Sequence, residues 1–310
     1  MLKNEIIELL NKNIDIILSG EAIAKKLGVS RMAVSKNIKN LKEEGYDIDI
    51  IANKGYMTKN KIDVLNAKIM TTLIKEQIDI YEFEEIDSTN TYAKNNLCDS
   101  GKLSLVVSDE QSAGRGRFNK KFYSPKGTGI YMSLVVPVNK PFEAIKHLTC
   151  AVSVVVAKTF EELGSEDVGI KWVNDLFIGD RKVCGILTEA TTDLETHNVQ
   201  NVVIGIGINT TTIEFPTDVN ATALNIEVSR NEIISGIVNN FLNLNSYEEC
   251  MLEYQKRSIL DGKTINFLHN NEPLSGVVKN VNNDGNLVVD TNSGELILYS
   301  GEVSIGSNKL

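Results

Sequence analysis

The sequence has few residues that bind metals or form disulfide bonds. Its 310 residues include four cysteines and three histidines, and no two cysteines form the Cys-x-x-Cys pair that would suggest a zinc site. We therefore expect no metal-binding residues, and we expect free, buried thiols rather than disulfides. The cysteines concerned are Cys98, Cys150, Cys184 and Cys250.

Long apolar runs are also missing. No stretch approaches the roughly 18 uninterrupted apolar residues of a membrane span, and residues 1–13 lack the apolar core of a signal peptide. These absences predict a cytoplasmic protein that does not enter a membrane. The sequence contains no internal repeat and no low-complexity segment.

The charge of the chain is unevenly distributed. The net charge of −9 argues against a protein that coats nucleic acid along its whole surface. Residues 1–62, however, carry a net charge of +3, which leaves −12 for the remainder. Six basic residues and no acidic one lie between Lys25 and Lys42. A small basic domain is therefore joined to an acidic body.

The front of the sequence shows the pattern of a winged helix-turn-helix. A first helix is followed by Ser19, a suitable N-cap for a second helix that Gly28 ends. Ser30 can cap the third helix, which Gly45 ends. Two short strands flank the turn Asn53-Lys54-Gly55 and predict the wing.

One face of the third helix is predicted to bind DNA. Val34, Ile38 and Leu41 turn inward, so the polar side chains face solvent. A lysine-rich face is most often only a solvated surface, but these cations follow a tight turn on the helix that would enter a major groove. The proposed base or phosphate contacts are Ser30, Arg31, Ser35 and Lys36, with Lys39, Lys42 and Lys54 attracting phosphates.

The rest of the chain divides into two further regions. Residues 63–262 mix strand and helix signals, and Gly205 and Gly207 interrupt an apolar strand, where they allow another group to approach closely. Residues 263–310 have turn signals between alternating runs and no good helix, which predicts a small SH3-like β-barrel. With the winged helix-turn-helix at residues 1–62, the predicted fold class is α+β.

The segment 111–126, called the arginine loop below, combines glycines with cations. It lacks the Gly-Lys-Ser/Thr ending of a P-loop. Gly114 and Gly116 relax the backbone so that Arg115 and Arg117 can fold over an anion, whose oxygens suit the planar guanidinium. Taken alone, the segment is equally well interpreted as a flexible surface loop with two solvated arginines.

Two other polar segments are ambiguous when taken singly. The segment Lys171-Trp172-Val173-Asn174-Asp175 brings a cation, an amide and an anion together, but an ion-paired hairpin with Trp172 in the core is the better interpretation of it alone. Ser88-Thr89-Asn90 could bind a ligand, yet such a trio commonly caps a helix, here over residues 91–97.

Taken together, the motifs resemble those of biotin protein ligases in order and spacing. They are Glu85 to Asn90, Gln111 to Arg117, Lys171 to Leu176, Arg181 to Leu187 and Gly205 to Asn209. The winged helix makes the chain resemble the bifunctional form, which is also the biotin operon repressor. Gly301-Glu302-Val303-Ser304 resembles the closing β-domain of that family.

The resemblance implies two half-reactions. Biotin and MgATP give biotinyl-5′-adenylate and pyrophosphate, and a lysine of the biotin carboxyl carrier protein of acetyl-CoA carboxylase then takes the biotinyl group. It also implies a homodimer, promoted by biotinyl-5′-AMP, that binds operator DNA. Because two anions must meet in the first step, fixed cations are required.

Site roles can be carried over by position. The biotin-binding residues would be Ser88, Thr89, Asn90, Gln111, Arg115, Gly116, Arg117 and Lys182. The adenylate loop would comprise Gly114, Arg115, Gly116, Arg117, Phe122 and Asn174. The catalytic residues would be Arg117, Lys182, Lys171 and Asp175, with Asp175 orienting the carrier lysine.

The sequence departs from the family pattern at three places. Phe118-Asn119 stands where the family usually has Arg-Gly, Val173 stands where it usually has Pro, and Phe122 often corresponds to Trp. Because of the departures at Phe118-Asn119 and Val173, the sequence does not determine the backbone path of the arginine loop. Two other functions also remain open, namely a regulator that binds a small anion without catalysis and a ligase for lipoate or a related acid.

Overall fold

The computed structural model describes residues 2–43, 46–193, 195–212, 214–217 and 219–305. They form two compact units, one ending at Asn66 and the other beginning at Ala67. Each unit has its own hydrophobic core.

The first unit is a winged helix-turn-helix, as predicted. Its elements are the helices α1 (Leu2–Asn11), α2 (Gly20–Leu27) and α3 (Arg31–Glu43) and the antiparallel strands β1 (Asp49–Ile51) and β2 (Gly55–Met57). Ile7, Ile23 and Ile38, one from each helix, are fully buried in a shared core. Burial of one apolar face of each helix is what holds so small a unit together.

The predicted helix ends agree with the structure where it describes them. The Ser19 side chain accepts a hydrogen bond from the first turn of α2, and Gly28 ends that helix with a left-handed φ of 67°. The Ser30 hydroxyl oxygen accepts a 3.1 Å hydrogen bond from the backbone N–H of Ala33 in α3. Gly45, predicted to end α3, lies outside the described residues.

A seven-stranded mixed sheet forms the centre of the second unit. Its strands are β3 (Asp79–Phe83), β4 (Ser104–Ser108), β5 (Gly129–Lys140), β6 (Gly169–Lys171), β7 (Asp175–Ile178), β8 (Arg181–Thr192) and β9 (Val199–Asn209). They lie in the order β3-β4-β5-β9-β8-β7-β6. Strands β3 and β4 run parallel and the other neighbours antiparallel. The predicted α+β class is confirmed.

Helices cover this sheet. They are α4 (Ala67–Leu73), α5 (Thr89–Asn96), α6 (Leu148–Glu162), α7 (Arg230–Leu242) and α8 (Met251–Lys256). Helix α6 is buried on most sides because it contacts α7, α8 and β8. Within the described ranges, no helix is both long and apolar enough to cross a membrane. All four cysteines are buried and free, as predicted.

A second sheet ends the described chain. Its antiparallel strands are β10 (Thr264–His269), β11 (Glu272–Val281), β12 (Leu287–Thr291), β13 (Gly294–Leu298) and β14 (Val303–Ile305). This is the small β-domain that the sequence predicts. Phe267 and Val289 share a core with Trp172 and Tyr254 of the larger body. The predicted boundary after residue 262 lies within one compact unit, and the division into three domains stays a prediction.

Candidate active site and DNA-binding face

Separated segments of the second unit line one cleft of about 180 Å³. Those that carry predicted site residues are the start of α5, the arginine loop between β4 and β5, the β6–β7 hairpin and the start of β8. The predicted site residues that line it are Ser88, Thr89, Asn90, Gln111, Arg115, Gly116, Arg117, Phe122, Lys171, Asn174, Asp175 and Lys182. Gly114 lines an adjoining cleft instead.

Thr89 and Gln111 orient each other on one wall of the cleft. The backbone N–H of Thr89 donates a 2.9 Å hydrogen bond to Gln111 Oε1, and the Thr89 hydroxyl lies 3.2 Å from the same oxygen. Gln111 Nε2 donates to Ser124 Oγ at 3.0 Å. Ser88 is the N-cap of α5. The trio at residues 88–90 therefore both starts a helix and lines the cleft, so the two interpretations of it are compatible.

The amide of Asn90 is fixed from three sides. Ser133 Oγ donates to Asn90 Oδ1 at 2.6 Å, while Asn90 Nδ2 donates to Glu189 Oε2 at 3.0 Å and to the Leu187 carbonyl at 3.3 Å. A Cβ atom at Gly205 would lie 2.2 Å from Asn90 Oδ1. The close approach predicted at Gly205 is therefore made by this side chain.

The arginine loop folds back on itself as a short hairpin. The N–H of Phe122 donates to the Gly114 carbonyl at 2.9 Å, and the N–H of Gly116 donates to the Lys120 carbonyl at 2.7 Å. A Cβ at Gly114 would lie 2.6 Å from Ser124 Oγ, so the residue must be small. Arg115 and Arg117 are thereby presented from a defined backbone rather than from a flexible loop.

The departure at residues 118 and 119 produces a turn with left-handed backbone conformations. Phe118 has a φ of 53° and Asn119 a φ of 59°. Asparagine tolerates this region well, whereas an aromatic residue is an outlier there. The Phe118 side chain is 62% exposed and stacks on the Arg117 guanidinium at 5.1 Å. The turn therefore forms without the glycine that the family pattern usually has.

Two of the cations are held by partners that an incoming anion could replace. Lys182 Nζ lies 2.7 Å from Asp175 Oδ1. Arg117 Nη1 donates to the neutral amide oxygen of Asn174 at 3.2 Å, and burial lowers the pKa of Arg117 although Asp175 opposes the effect. A partly desolvated guanidinium with a neutral partner is suited to binding a phosphate or carboxylate.

Lys171 adds a third cation close to this pair. It lies opposite Asp175 in the β6–β7 register. Burial lowers the pKa of Lys171, and the charge of Asp175 works against that shift. Lys182 lies close enough to lower the pKa of Lys171 further. An anion bound between the two lysines would relieve their repulsion.

The segment 171–175 is both a hairpin and part of the cleft. Trp172 is buried, and its indole N–H donates to the Gly285 carbonyl at 2.8 Å. The Tyr254 hydroxyl donates to the Val173 carbonyl at 3.0 Å, which holds the hairpin at the position where the family usually has proline. The core interpretation of Trp172 is confirmed, while its neighbours Asn174 and Asp175 face the cleft.

Phe122 forms an apolar wall. Its ring lies over Gly207, where a Cβ would come within 2.5 Å of a ring carbon. Tyr131 meets the same ring edge to face at a centroid distance of 6.4 Å. Gly207 therefore makes room for an aromatic side chain, and the predicted close approach at this glycine is also explained.

Sequence reasoning missed several residues that hold the site. Glu189 bonds Asn90 and Arg115, and Ser133 bonds Asn90. Glu302 contacts Lys120 of the arginine loop and lines the cleft. A period of two along β8 could have found Glu189, because it follows the cleft-lining Leu187 on the same face of the strand.

The outward face of α3 matches its prediction. Arg31, Met32, Ser35, Lys36 and Lys39 are all exposed. Lys39 lies 3.6 Å from Glu43, and Lys42 donates to the Ile48 carbonyl at 3.1 Å. Arg31 and Lys36 therefore remain the stronger candidates for contacting nucleic acid, and whether any of these residues does so stays a prediction.

Three family models match the chain. They are the biotin/lipoate A/B protein ligase family at residues 82–209, a helix-turn-helix domain at residues 3–57 and the biotin protein ligase C-terminal domain at residues 262–306. These matches include the arginine loop, the cleft-lining strands and the β-domain described above. The ligase-family domain at residues 82–209 and the ligase C-terminal domain at residues 262–306 together span most of the second unit.

Relatives match over most or all of the chain. The bifunctional ligase/repressor BirA of Bacillus subtilis is 29% identical over 98% of this chain and 99% of its own length. The protein of the same name from Escherichia coli is 36% identical over 62% of this chain and 59% of its own length. The fold resembles that of a biotin protein ligase from Aquifex aeolicus, solved with biotin and ATP, with a TM-score of 0.62, 24% identity and coverage of 74% of this chain and 98% of that one.

Proposed function

We propose that the protein attaches biotin to a lysine of a biotin carboxyl carrier protein in two steps that consume ATP, and that it represses transcription in response to biotin. The observation that carries the ligase proposal is the convergence of Arg115, Arg117, Lys171 and Lys182 on one cleft. The relatives that match along the whole chain are named as bifunctional ligase/repressors, which supports the double role.

In the first step an oxygen of the biotin carboxylate forms a bond with the α-phosphorus of ATP. The bond from that phosphorus to the bridging oxygen breaks, and pyrophosphate leaves. Magnesium enters as MgATP, bound to phosphate oxygens. Within the described residues, no group of three or more His, Cys, Asp or Glu side chains is placed to hold a metal ion.

The cations offset the repulsion between the carboxylate and the phosphates. Lys182 and Arg117 would exchange Asp175 and Asn174 for ligand oxygens, while Lys171 adds positive charge beside them. Such fixed charges act where negative charge develops in the transition state, and they need little rearrangement at that moment. No nucleophilic side chain is required.

The opposite wall supplies polar groups for the ureido head of biotin. We assign Ser88, Thr89, Asn90 and Gln111 to it, because all four are held before any ligand binds. Ser88 caps α5, Thr89 bonds Gln111, and Ser133 bonds Thr89 and Asn90. A wall fixed in this way can reject an acid that lacks matching donors and acceptors. Competition between biotin and lipoate in the assay below therefore separates the two kinds of acyl ligase.

In the second step the amine of the carrier lysine attacks the acyl carbon of the mixed anhydride. The bond to the adenylate oxygen breaks, AMP leaves, and the amine loses a proton. Asp175 lines the cleft beside Lys182, and we assign it to orienting that amine. Closure of the arginine loop over the anhydride would keep out water.

Pyrophosphate release tests the ligase. The purified chain, given MgATP, should release pyrophosphate when biotin is added and should then label a biotin carboxyl carrier domain. Omission of biotin, and its replacement by lipoate, are the controls. A cleft that binds biotin without releasing pyrophosphate would instead indicate a regulator without catalytic activity.

The repressor role needs a dimer on operator DNA. We propose that biotinyl-5′-AMP promotes the dimer and thereby DNA binding, with affinity falling as salt rises because lysines and arginines displace counterions. Gel-shift titrations with and without biotin and ATP test this link. Lys36→Met should weaken binding, whereas Lys12→Met, just after α1 and paired with Glu8, is the matched control. Equal binding with and without biotin would rule out the coupling.

A further inference from the structure

Glu189 connects the arginine loop to helix α5. Its carboxylate accepts hydrogen bonds from Lys94 at 2.8 Å, from Asn90 at 3.0 Å and from Arg115 at 3.1 Å. The first two donors belong to α5 and the third to the arginine loop. A single side chain on β8 thus fixes groups from two elements that line the cleft.

Glu189 is ionised in this position. Burial alone would raise the pKa of Glu189, but the hydrogen bonds from Lys94 and Asn90 and the charge of Arg115 outweigh burial and lower the pKa. The side chain is 21% exposed, so water screens these contacts only in part. Contacts of this kind between ions are stronger than hydrogen bonds between neutral groups.

Glu189 also determines which way the Asn90 amide points. Its carboxylate accepts from Asn90 Nδ2, and Ser133 donates to Asn90 Oδ1 on the other side. Exchanging the oxygen and the nitrogen of this amide would place an N–H group against the Ser133 hydroxyl and an oxygen against a carboxylate. Asn90 therefore has one favourable orientation as long as Glu189 is charged.

The two arginines of the loop are anchored at different places. Arg115 pairs with Glu189 on β8, whereas Arg117 donates to Asn174 of the β6–β7 hairpin at 3.2 Å. The loop is thereby attached at two points on the rim of the cleft. Removing the Glu189 carboxylate should therefore free Arg115 while leaving Arg117 bonded to Asn174.

We infer that Glu189 is a positioning residue of the ligase: it holds Arg115 and the Asn90 amide in the geometry that binds biotin, and so sets how firmly the arginine loop retains its ligand. This inference rests on the proposed function. Glu189 touches no reacting atom in this scheme, because it acts through Arg115 and Asn90. Its loss should weaken binding more than it slows the chemical step.

Glu189→Gln is the first test. The variant keeps the size of the side chain, but its neutral amide has one acceptor oxygen where three donors converge. In the biotin-dependent pyrophosphate assay we expect the KM for biotin to rise about tenfold, as the loss of a hydrogen bond between charged groups would produce. The kcat should stay within about twofold, because lost ground-state binding alone raises KM without lowering kcat.

Two control variants distinguish a positioning role of Glu189 from a general effect of losing a charged contact. Glu253→Gln removes a carboxylate that pairs with another arginine, away from the cleft. Glu253 Oε1 lies 3.0 Å from Arg257 Nη2, and the Glu253 side chain is 30% exposed. Lys94→Met removes the α5 cation and leaves the pair between Glu189 and Arg115 intact. Neither should raise the KM for biotin as Glu189→Gln does. An equal rise in Lys94→Met would overturn the assignment.

Limited trypsin digestion gives a readout that does not depend on activity. Cleavage after Arg115 and Arg117 should be faster in Glu189→Gln than in the unchanged protein and in both controls. Unchanged cleavage together with an unchanged KM would overturn the inference. A wild-type protein that releases no pyrophosphate would instead overturn the ligase function, while the trypsin comparison would still show whether Glu189 holds the loop.

Discussion

Replacing Lys182 with methionine gives the sharpest test of the cation-lined cleft. Lys182 Nζ lies 2.7 Å from Asp175 Oδ1, and its side chain is 30% exposed. It lines the cleft together with Arg115, Arg117 and Lys171. Methionine keeps most of the aliphatic stem, so the substitution removes the charge and little of the packing.

The expected effect on the rate follows from the charge that is lost. Two unit charges about 4 Å apart interact by about 4 kcal/mol at the effective dielectric constant of roughly 20 that describes sites near a protein surface. Removing one donor from an anion-stabilising site typically costs about 2.7–4 kcal/mol. Adenylation by Lys182→Met should therefore be about 10²–10³ times slower.

The expected effect on stability is much smaller. The side chains of Lys182 and Asp175 are 30% and 25% exposed, and ion pairs that water reaches in this way contribute about 1 kcal/mol or less to folding. The unfolding free energy of the variant should therefore fall by no more than this amount. A large loss of rate with a small loss of stability is what distinguishes a charge used in chemistry from one used in the fold.

Single-turnover formation of the adenylate and urea denaturation measure the two quantities. Lys102→Met, which breaks the exposed pair with Asp79 far from the cleft, should leave the rate unchanged. The reasoning is refuted if Lys182→Met adenylates biotin within tenfold of the wild-type rate. It is equally refuted if the drop in rate follows a loss of several kcal/mol of stability.

Three further changes have defined outcomes. In Gly205→Ala the new Cβ would lie 2.2 Å from Asn90 Oδ1, so a loss of about 1–3 kcal/mol in urea denaturation and a raised KM for biotin are expected. Burial lowers the pKa of Lys171 from 10.5, so below pH 10.5 the folded protein binds fewer protons at this lysine than the unfolded chain does. The stability of the wild-type protein relative to Lys171→Met should therefore rise as the pH rises from 7 to 10, and paired denaturation curves of the two proteins measure this difference. Arg230→Met breaks a buried 2.7 Å pair with Asp109 and should cost about 3–5 kcal/mol of unfolding free energy, most of it recovered when Asp109→Leu is added.

Features that depend on residues close in sequence could be predicted. The Ser19 cap, the Gly28 end of α2 and the outward face of α3 all follow from spacings of a few residues. The class of the fold follows from the same local signals. The motif resemblance located the cleft residues, because each motif is short and continuous even though the cleft is not.

Contacts between distant segments could not be predicted in this way. Asn90 and Glu189 are 99 residues apart, and Asn90 and Ser133 are 43 apart. No local period in the sequence reports that α5 lies against β5, or that its Asn90 and Lys94 bond Glu189 of β8. The path of the arginine loop was also open, because backbone φ values such as those of Phe118 and Asn119 depend on how Lys120 and Phe122 are held.

The cleft combines a wall that is already fixed with cations whose partners can be exchanged. On the wall, the amides of Asn90 and Gln111 donate to Glu189 and to Ser124 of the protein itself. At the other end Arg117 is held by a neutral amide, and Lys182 by a single carboxylate that is partly exposed. An anion can displace these partners at little cost, whereas rearranging the wall would leave buried polar groups unpaired. Substitutions on the wall should therefore change which acid binds, and substitutions among the cations should change how fast it reacts.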